Sequence, residues 1–195
     1  IIILAFSSFL KVQAADYYWV GGSGNWNDIN HWRTTSGGTL IPSVIPGATD
    51  NVYFDVNSGF TSSSKTITIN VTATCKNITF SGSAVAPTLT QSGAQTLNIF
   101  GSSVWQSGMG QINVSTITYQ STGEAKTITS NGVITGSSNP LNNGGVIFRE
   151  VNSISLLDDF SAGYDLTHFA GTFNTNNRNV NIRNNFSANN PGTQA

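Results

Sequence analysis

The chain has 195 residues, enough for one medium-sized domain with a sizeable core. Charged residues make up only 9% of it, against about 25% in ordinary soluble domains, and the net charge is −1. That balance excludes a basic footprint for nucleic acid and leaves the polarity to Ser, Thr, Asn and Gly, residues of pleated surfaces and turns. The lone Cys75 excludes an intrachain disulfide and reads as a small buried apolar residue.

Residues 1–14 form the first element. Ile1 to Leu10 is an apolar run, followed by Lys11 and by Val12-Gln13-Ala14. Small residues close a run that is too short to span a bilayer, which takes roughly 20 residues. It reads as a secretory signal peptide that lacks its charged n-region and is cut after Ala14. The mature protein is then expected to be secreted or held at the cell surface, with no membrane span once the signal is removed.

Residues 15–60 are an aromatic head. Trp19, Trp26 and Trp32 lie among glycines that forbid a regular helix. Asp50 to Asp55 is the first convincing strand, with Val52 and Phe54 on one face and Asn51, Tyr53 and Asp55 on the other. Two roles compete for the head. As a binding site, Trp19, Trp26 and Trp32 would stack on sugar rings, with Asp28, Asp50 and Asp55 as oxygen ligands for Ca²⁺. As a cap, the same tryptophans would cover the open end of a stacked fold. The cap is favoured, and the lack of an Asp-rich loop with Ca²⁺-ligand spacing leaves no metal or other cofactor to expect.

Trp19-Val20-Gly21-Gly22-Ser23-Gly24-Asn25-Trp26-Asn27-Asp28, with His31-Trp32 and then Asp50-Asn51-Val52-Tyr53-Phe54-Asp55, resembles the start of large secreted surface proteins of Bacteroidetes-type bacteria. Gly171 to Asn177 is similar to a later motif of that group. The resemblance implies an adhesin-like repeat protein, often exported by type IX secretion and often ending in a sorting domain. No sorting domain is present here, and the end at Pro191-Gly192-Thr193-Gln194-Ala195 implies further domains of the same longer chain.

Residues 61–195 form the repeat body. Phe80, Phe100, Tyr119, Phe148, Phe169 and Phe186 recur at roughly 20-residue spacing, with one longer gap that holds a loop at 136–145. Leu89, Ile128, Leu156 and Phe173 form a second set between them. The fold expected is all-β: a right-handed parallel β-helix with an aromatic N-terminal cap, in which the six ladder aromatics stack in one internal column. The alternative is an antiparallel β-sandwich, which also gives short, evenly spaced strands. The Asn-rich end, from Asn174 to Asn185, is expected to form turns and coil-to-coil amide ladders.

Catalytic signals are sparse. No Gly-x-Ser-x-Gly elbow, phosphate loop or zinc spacing occurs. Asp158, Asp159 and Asp165 with His168 are the best acid-base grouping, since one turn of solenoid brings Asp158 or Asp159 near His168. The function expected is a rigid surface stalk or display module of the adhesion type, without catalysis, whose partner is a glycan or another cell-surface ligand. The alternative is a glycan-binding module or polysaccharide-active enzyme.

Overall fold

A computed structural model describes residues 14–137, 144–149 and 152–188. The signal segment before Ala14, the middle of the 136–145 loop and the chain end from residue 189 lie outside the described residues.

The chain is an all-β solenoid of about five turns, built from short strands stacked in parallel. The head contributes β1 (Asp16–Trp19), β2 (Gly24–Asn25), a single 3₁₀ turn at Ile29–His31 and β3 (Trp32–Arg33). The first two coils follow as β4 (Asn51–Phe54), β5 (Thr66–Ile69) and β6 (Ala73–Cys75), then β7 (Ile78–Phe80), β8 (Thr88–Gln91) and β9 (Thr96–Ile99). The third coil has only β10 (Ser103–Val104) and β11 (Thr116–Tyr119). The fourth holds β12 (Lys126–Thr129), β13 (Ile134–Thr135) and β14 (Gly145–Phe148), and the fifth β15 (Ser153–Leu156), β16 (Phe160–Ala162) and β17 (Asp165–His168). The last has β18 (Thr172–Asn174), β19 (Val180–Ile182) and β20 (Phe186–Ala188).

These strands stack into faces. The first is the eight-stranded sheet β18-β15-β12-β10-β7-β4-β1-β3, and another is the six-stranded sheet β20-β17-β14-β11-β9-β6. The remaining face is split into β2-β5-β8 and β13-β16-β19. The third coil spans the split with two single bridges, Thr90 to Asn113 and Gln111 to Ile134. Every pairing between successive coils is parallel, so the antiparallel sandwich is not adopted; among the named strands only β1 and β3 run antiparallel, where the chain doubles back over the first coil.

Alternation explains why these segments are strands. In β4, β5 and β9 every second side chain is buried, with Val52 and Phe54, Ile67 and Ile69, and Leu97 and Ile99 pointing inward. Each coil's inward side chains land on those of the next. One column of the six-stranded sheet runs Ala73–Leu97–Ile117–Val146–Leu166–Phe186, and the parallel one runs Cys75–Ile99–Tyr119–Phe148–His168–Ala188. The chain between β13 and β14 is longer than that between β16 and β17, which accounts for the long step from Ile117 to Val146.

The expected single aromatic column is corrected by this register. Phe80 belongs to a column of the eight-stranded sheet, where it stacks on Phe54 at 4.1 Å and on Trp105 at 5.5 Å. Tyr119 and Phe148 meet edge-on, 5.5 Å apart, in the other sheet. Phe100 and Phe169 fall one residue beyond the inward Ile99 and His168, so they turn to the outside and are half-exposed. One step along a strand reverses the face, which is why an aromatic at the right spacing still misses the core. Arg149 covers the outward Phe169 ring, its guanidinium 4.5 Å from the centroid. Phe186 does face inward, but it pairs with Leu166 rather than with the Phe148 column and is 54% exposed on the last strand.

Candidate functional site

The tryptophan head is the first candidate, and its chemistry is spent on packing. Trp19, Trp26 and Trp32 are all 0% exposed. Trp32 meets Trp19 edge-on at 5.0 Å and Trp26 at 5.1 Å, and all three rings lie within 6.2 Å of Phe54, the first ring of the aromatic column. The proposed sugar contacts at Trp19, Trp26 and Trp32 are therefore corrected: fully buried indoles have no face to offer a ligand.

The rest of the motif positions those rings. The Trp19 indole N–H donates to Gly22 O at 2.7 Å, and the Trp32 indole N–H donates to Trp26 O at 2.9 Å. His31 stacks flat on Trp19 at 4.6 Å and is held through Nδ1 by Val20 O. Gly22 has φ +72, and a Cβ there would meet Ser64 and the Gly59 carbonyl, so the tight fold of the head requires glycine. Ser23 ties the head to the first coil, receiving Thr66 N–H on its Oγ at 2.9 Å and donating its own N–H to Ser64 Oγ. Asp28 caps the 3₁₀ turn by accepting from the Asn30 backbone and side chain, and these bonds hold its carboxyl below the usual carboxylate range.

The three head carboxylates do not converge on a cation. Asp50 accepts the Ala15 and Gly47 N–H groups, and Asp55 accepts the Ser36 hydroxyl and Asn57 N–H, so each closes a local turn and ties it to an earlier part of the head. Among the described residues no group of three His, Cys, Asp or Glu side chains could hold a metal ion.

The acid-base grouping is also taken apart by the structure. Asp158 accepts the backbone N–H groups of Ser130 and Asn131 in the preceding coil. Asp159 points the other way and clamps the next coil, accepting Asn179 N–H at 2.9 Å and Asn179 Nδ2 at 3.0 Å, which lowers its carboxyl below the ordinary value. Asp165 clamps Asn184 and Asn185 in the same manner. His168 sits on β17, in the inward column beside Phe148, with the Phe173 ring 6.3 Å away. Asp158 and Asp159 lie at the bend between β15 and β16, and His168 at the far end of β17, beyond the whole of β16. The expected meeting of Asp158 or Asp159 with His168 is corrected on that ground: the carboxylates fasten coil to coil.

Buried polar groups elsewhere are structural as well. Tyr119 OH and Ser103 Oγ share a hydrogen bond of 2.5 Å across the interior, and burial pushes the phenol up. Cys75 is buried in the inward column, where burial pushes its thiol up and suppresses thiolate chemistry. Lys126 is 1% exposed, with Nζ donating to Thr122 Oγ1 and the Glu124 carbonyl, and burial pulls its ammonium down.

A site that sequence reasoning missed lies on the outer face of β13-β16-β19. Register places Gln111, Ile134, Ser161 and Asn181 in one outward column, one residue from each of four coils. With Val180 and Arg183 they border a groove of about 480 Å³. Gln111 Nε2 donates to Gly136 O at 2.8 Å, which fixes the amide at the groove's head. Gly163 lies beneath, where a Cβ would run into Gly136 O. The four column residues are scattered along the sequence, and only the coil register, with its unequal insertions, assembles them.

No protein-family profile, curated sequence or solved structure matches this chain. The groove and the solenoid's outer faces therefore carry the functional argument on their own chemistry. Several outward polar side chains bond to one another from coil to coil. Asn51 Nδ2 donates to Asp16, Asn77 Nδ2 to Asn51, and Ser102 N–H to Asn77 Oδ1, while Asn27 pairs with Asn70 and Gln120 with Asn98. Among the described residues, Ser161, Asn181 and Arg183 make no such side-chain bond. No helix among the described residues is long and apolar enough to cross a membrane.

Proposed function

We propose that this chain is a structural module of a secreted or cell-surface protein of the adhesin type, a rigid β-solenoid that displays its flanks to a glycan or another surface ligand and has no catalytic activity of its own. The observation that carries this is the burial of Trp19, Trp26 and Trp32 at 0% exposure. A motif that would otherwise read as an aromatic binding site is used to close one end of the stack, which leaves recognition to the sides. The carboxylates support the same role, because Asp158, Asp159 and Asp165 are committed to holding coils together.

The apolar leader ending at Ala14 and the resemblance of the Trp19–Trp32 segment to secreted surface proteins support export, with type IX secretion as the route to test and further domains of one longer chain as the covalent partners. Antibody labelling and protease shaving of intact cells producing the full-length protein give the test. Labelling at the cell surface and binding of the purified solenoid to cells or glycans are expected. Retention inside the cell would overturn the surface role, and polysaccharide cleavage lost on Asp159→Ala would overturn the non-catalytic one.

A further inference from the structure

The groove on β13-β16-β19 combines three features. Its polar groups are unspent: Ser161, Asn181 and Arg183 have no side-chain partner among the described residues, and Gln111 uses only its Nε2. Its charge has one sign, since Arg183 is the only charged lining residue among the described residues. The nearby Asp165 is already held by Asn184 and Asn185 and is not paired with that guanidinium. Its column also contains an exposed apolar side chain, Ile134 at 40%, between Gln111 and Ser161.

Successive coils rise by about 4.8 Å, so the column from Gln111 to Asn181 offers a line of contacts roughly 14 Å long. The groove's volume of about 480 Å³ falls in the range of ligand sites. Such a line suits an extended chain of similar units, each bringing hydroxyls for the amides and the Ser161 hydroxyl and a C–H face for Ile134. The unpaired guanidinium asks for a carboxylate, which it binds in a forked, charge-assisted pair.

We infer that this groove binds an acidic saccharide chain, laid along the solenoid axis with a uronate carboxylate on Arg183, ring hydroxyls on Asn181, Ser161 and Gln111, and a ring face on Ile134. The inference rests on the display function proposed above and names the ligand class and the side that takes it. Binding would be non-covalent, and a coil lost or slipped between β13 and β19 would remove it by breaking the column.

The test is calorimetric titration of the purified chain with tetramers of galacturonate, glucuronate and mannuronate, with neutral β-1,4-galactotetraose and a hexaglutamate peptide alongside. At least one uronate tetramer is expected to bind, with affinity about tenfold lower for Arg183→Gln, the loss of one charge-assisted pair, and also lower for Asn181→Ala and Ile134→Ser. These positions are on the surface, so unchanged melting temperatures separate lost binding from lost fold. Absence of binding by all three uronates, equal binding of the neutral tetramer, or indifference to Arg183→Gln would overturn the inference. Hexaglutamate binding as tightly as a uronate would reduce the site to a charge contact and overturn its saccharide specificity. These failures leave the display function standing, whereas cleavage of a tetramer during the titration would overturn the non-catalytic module and leave the groove.

Discussion

The two ends of the described solenoid are built from opposite materials. At the head, β3 folds back antiparallel onto β1, and three indoles with Phe54 form a sealed aromatic block. At the other end, β18, β19 and β20 are each the last strand of their sheet, Phe186 is 54% exposed, and Phe173, Val180 and Ile182 are only partly buried. Stacked coils bury their inner faces only against neighbours, so an end needs either a cover or another coil. The head supplies a cover in sequence, whereas among the described residues the outer edges of β18, β19 and β20 have no strand partner, the arrangement that invites further strand pairing.

The largest expected effect follows from that contrast. Trp32→Ala removes a fully buried ring packed between Trp19, Trp26 and Phe54 and should cost about 3–5 kcal/mol. Phe186→Ala, on a ring already more than half in water, should cost under about 1 kcal/mol. Urea melts of the two variants measure the difference directly. Equal losses would mean that the last coil is covered in solution as the head is.

A finer difference lies inside the head. Trp32→Phe gives up the indole bond to Trp26 O, whereas Trp26→Phe gives up a buried indole N–H that has no hydrogen-bond partner among the described residues. The two exchanges remove similar volume, so Trp32→Phe should be the more destabilising by about 1 kcal/mol. Equal midpoints would show that the bond contributes nothing net.

The smallest effect concerns the carboxylate clamp near the open end. Asp159 is held below its ordinary value by Asn179, so its contribution is present above the unfolded carboxylate pKa of about 3.9 and is lost as pH falls through the folded value. The stability gap between the wild type and Asp159→Asn should be open at neutral pH and should close on acidification below about pH 4. A gap independent of pH would show that the clamp acts without its charge.

Much of this architecture is legible in the residues. Alternation identifies β4, β5 and β9, and the 20-residue steps from Leu97 to Ile117 and from Val146 to Leu166 were visible as a period. The long gap corresponds to extra length between β13 and β14, with residues 138–143 outside the described residues. The single aromatic ladder fails because spacing does not report which way a side chain points: Phe100 and Phe169 sit one residue past the inward position, while Phe54 and Trp105, the ring neighbours of Phe80, fall outside the 20-residue period. Turn asparagines were foreseen, and Asn176 and Asn177 do take left-handed angles of φ 50 and 59. Asn179, Asn184 and Asn185 reach across coils to Asp159 and Asp165 instead of to other amides, and those carboxylates look available for chemistry only when read alone. The groove was not legible, since its column depends on pairings across four coils of unequal length.

Hydrogen–deuterium exchange, resolved along the chain, tests the closed and open ends most directly. Amides of β4 and β7, under the tryptophan cap, should exchange slowest, with protection declining through β12 and β15 to its lowest in β18–β20. Uniform protection from head to last coil, or a head that exchanges faster than β18–β20, would contradict the account.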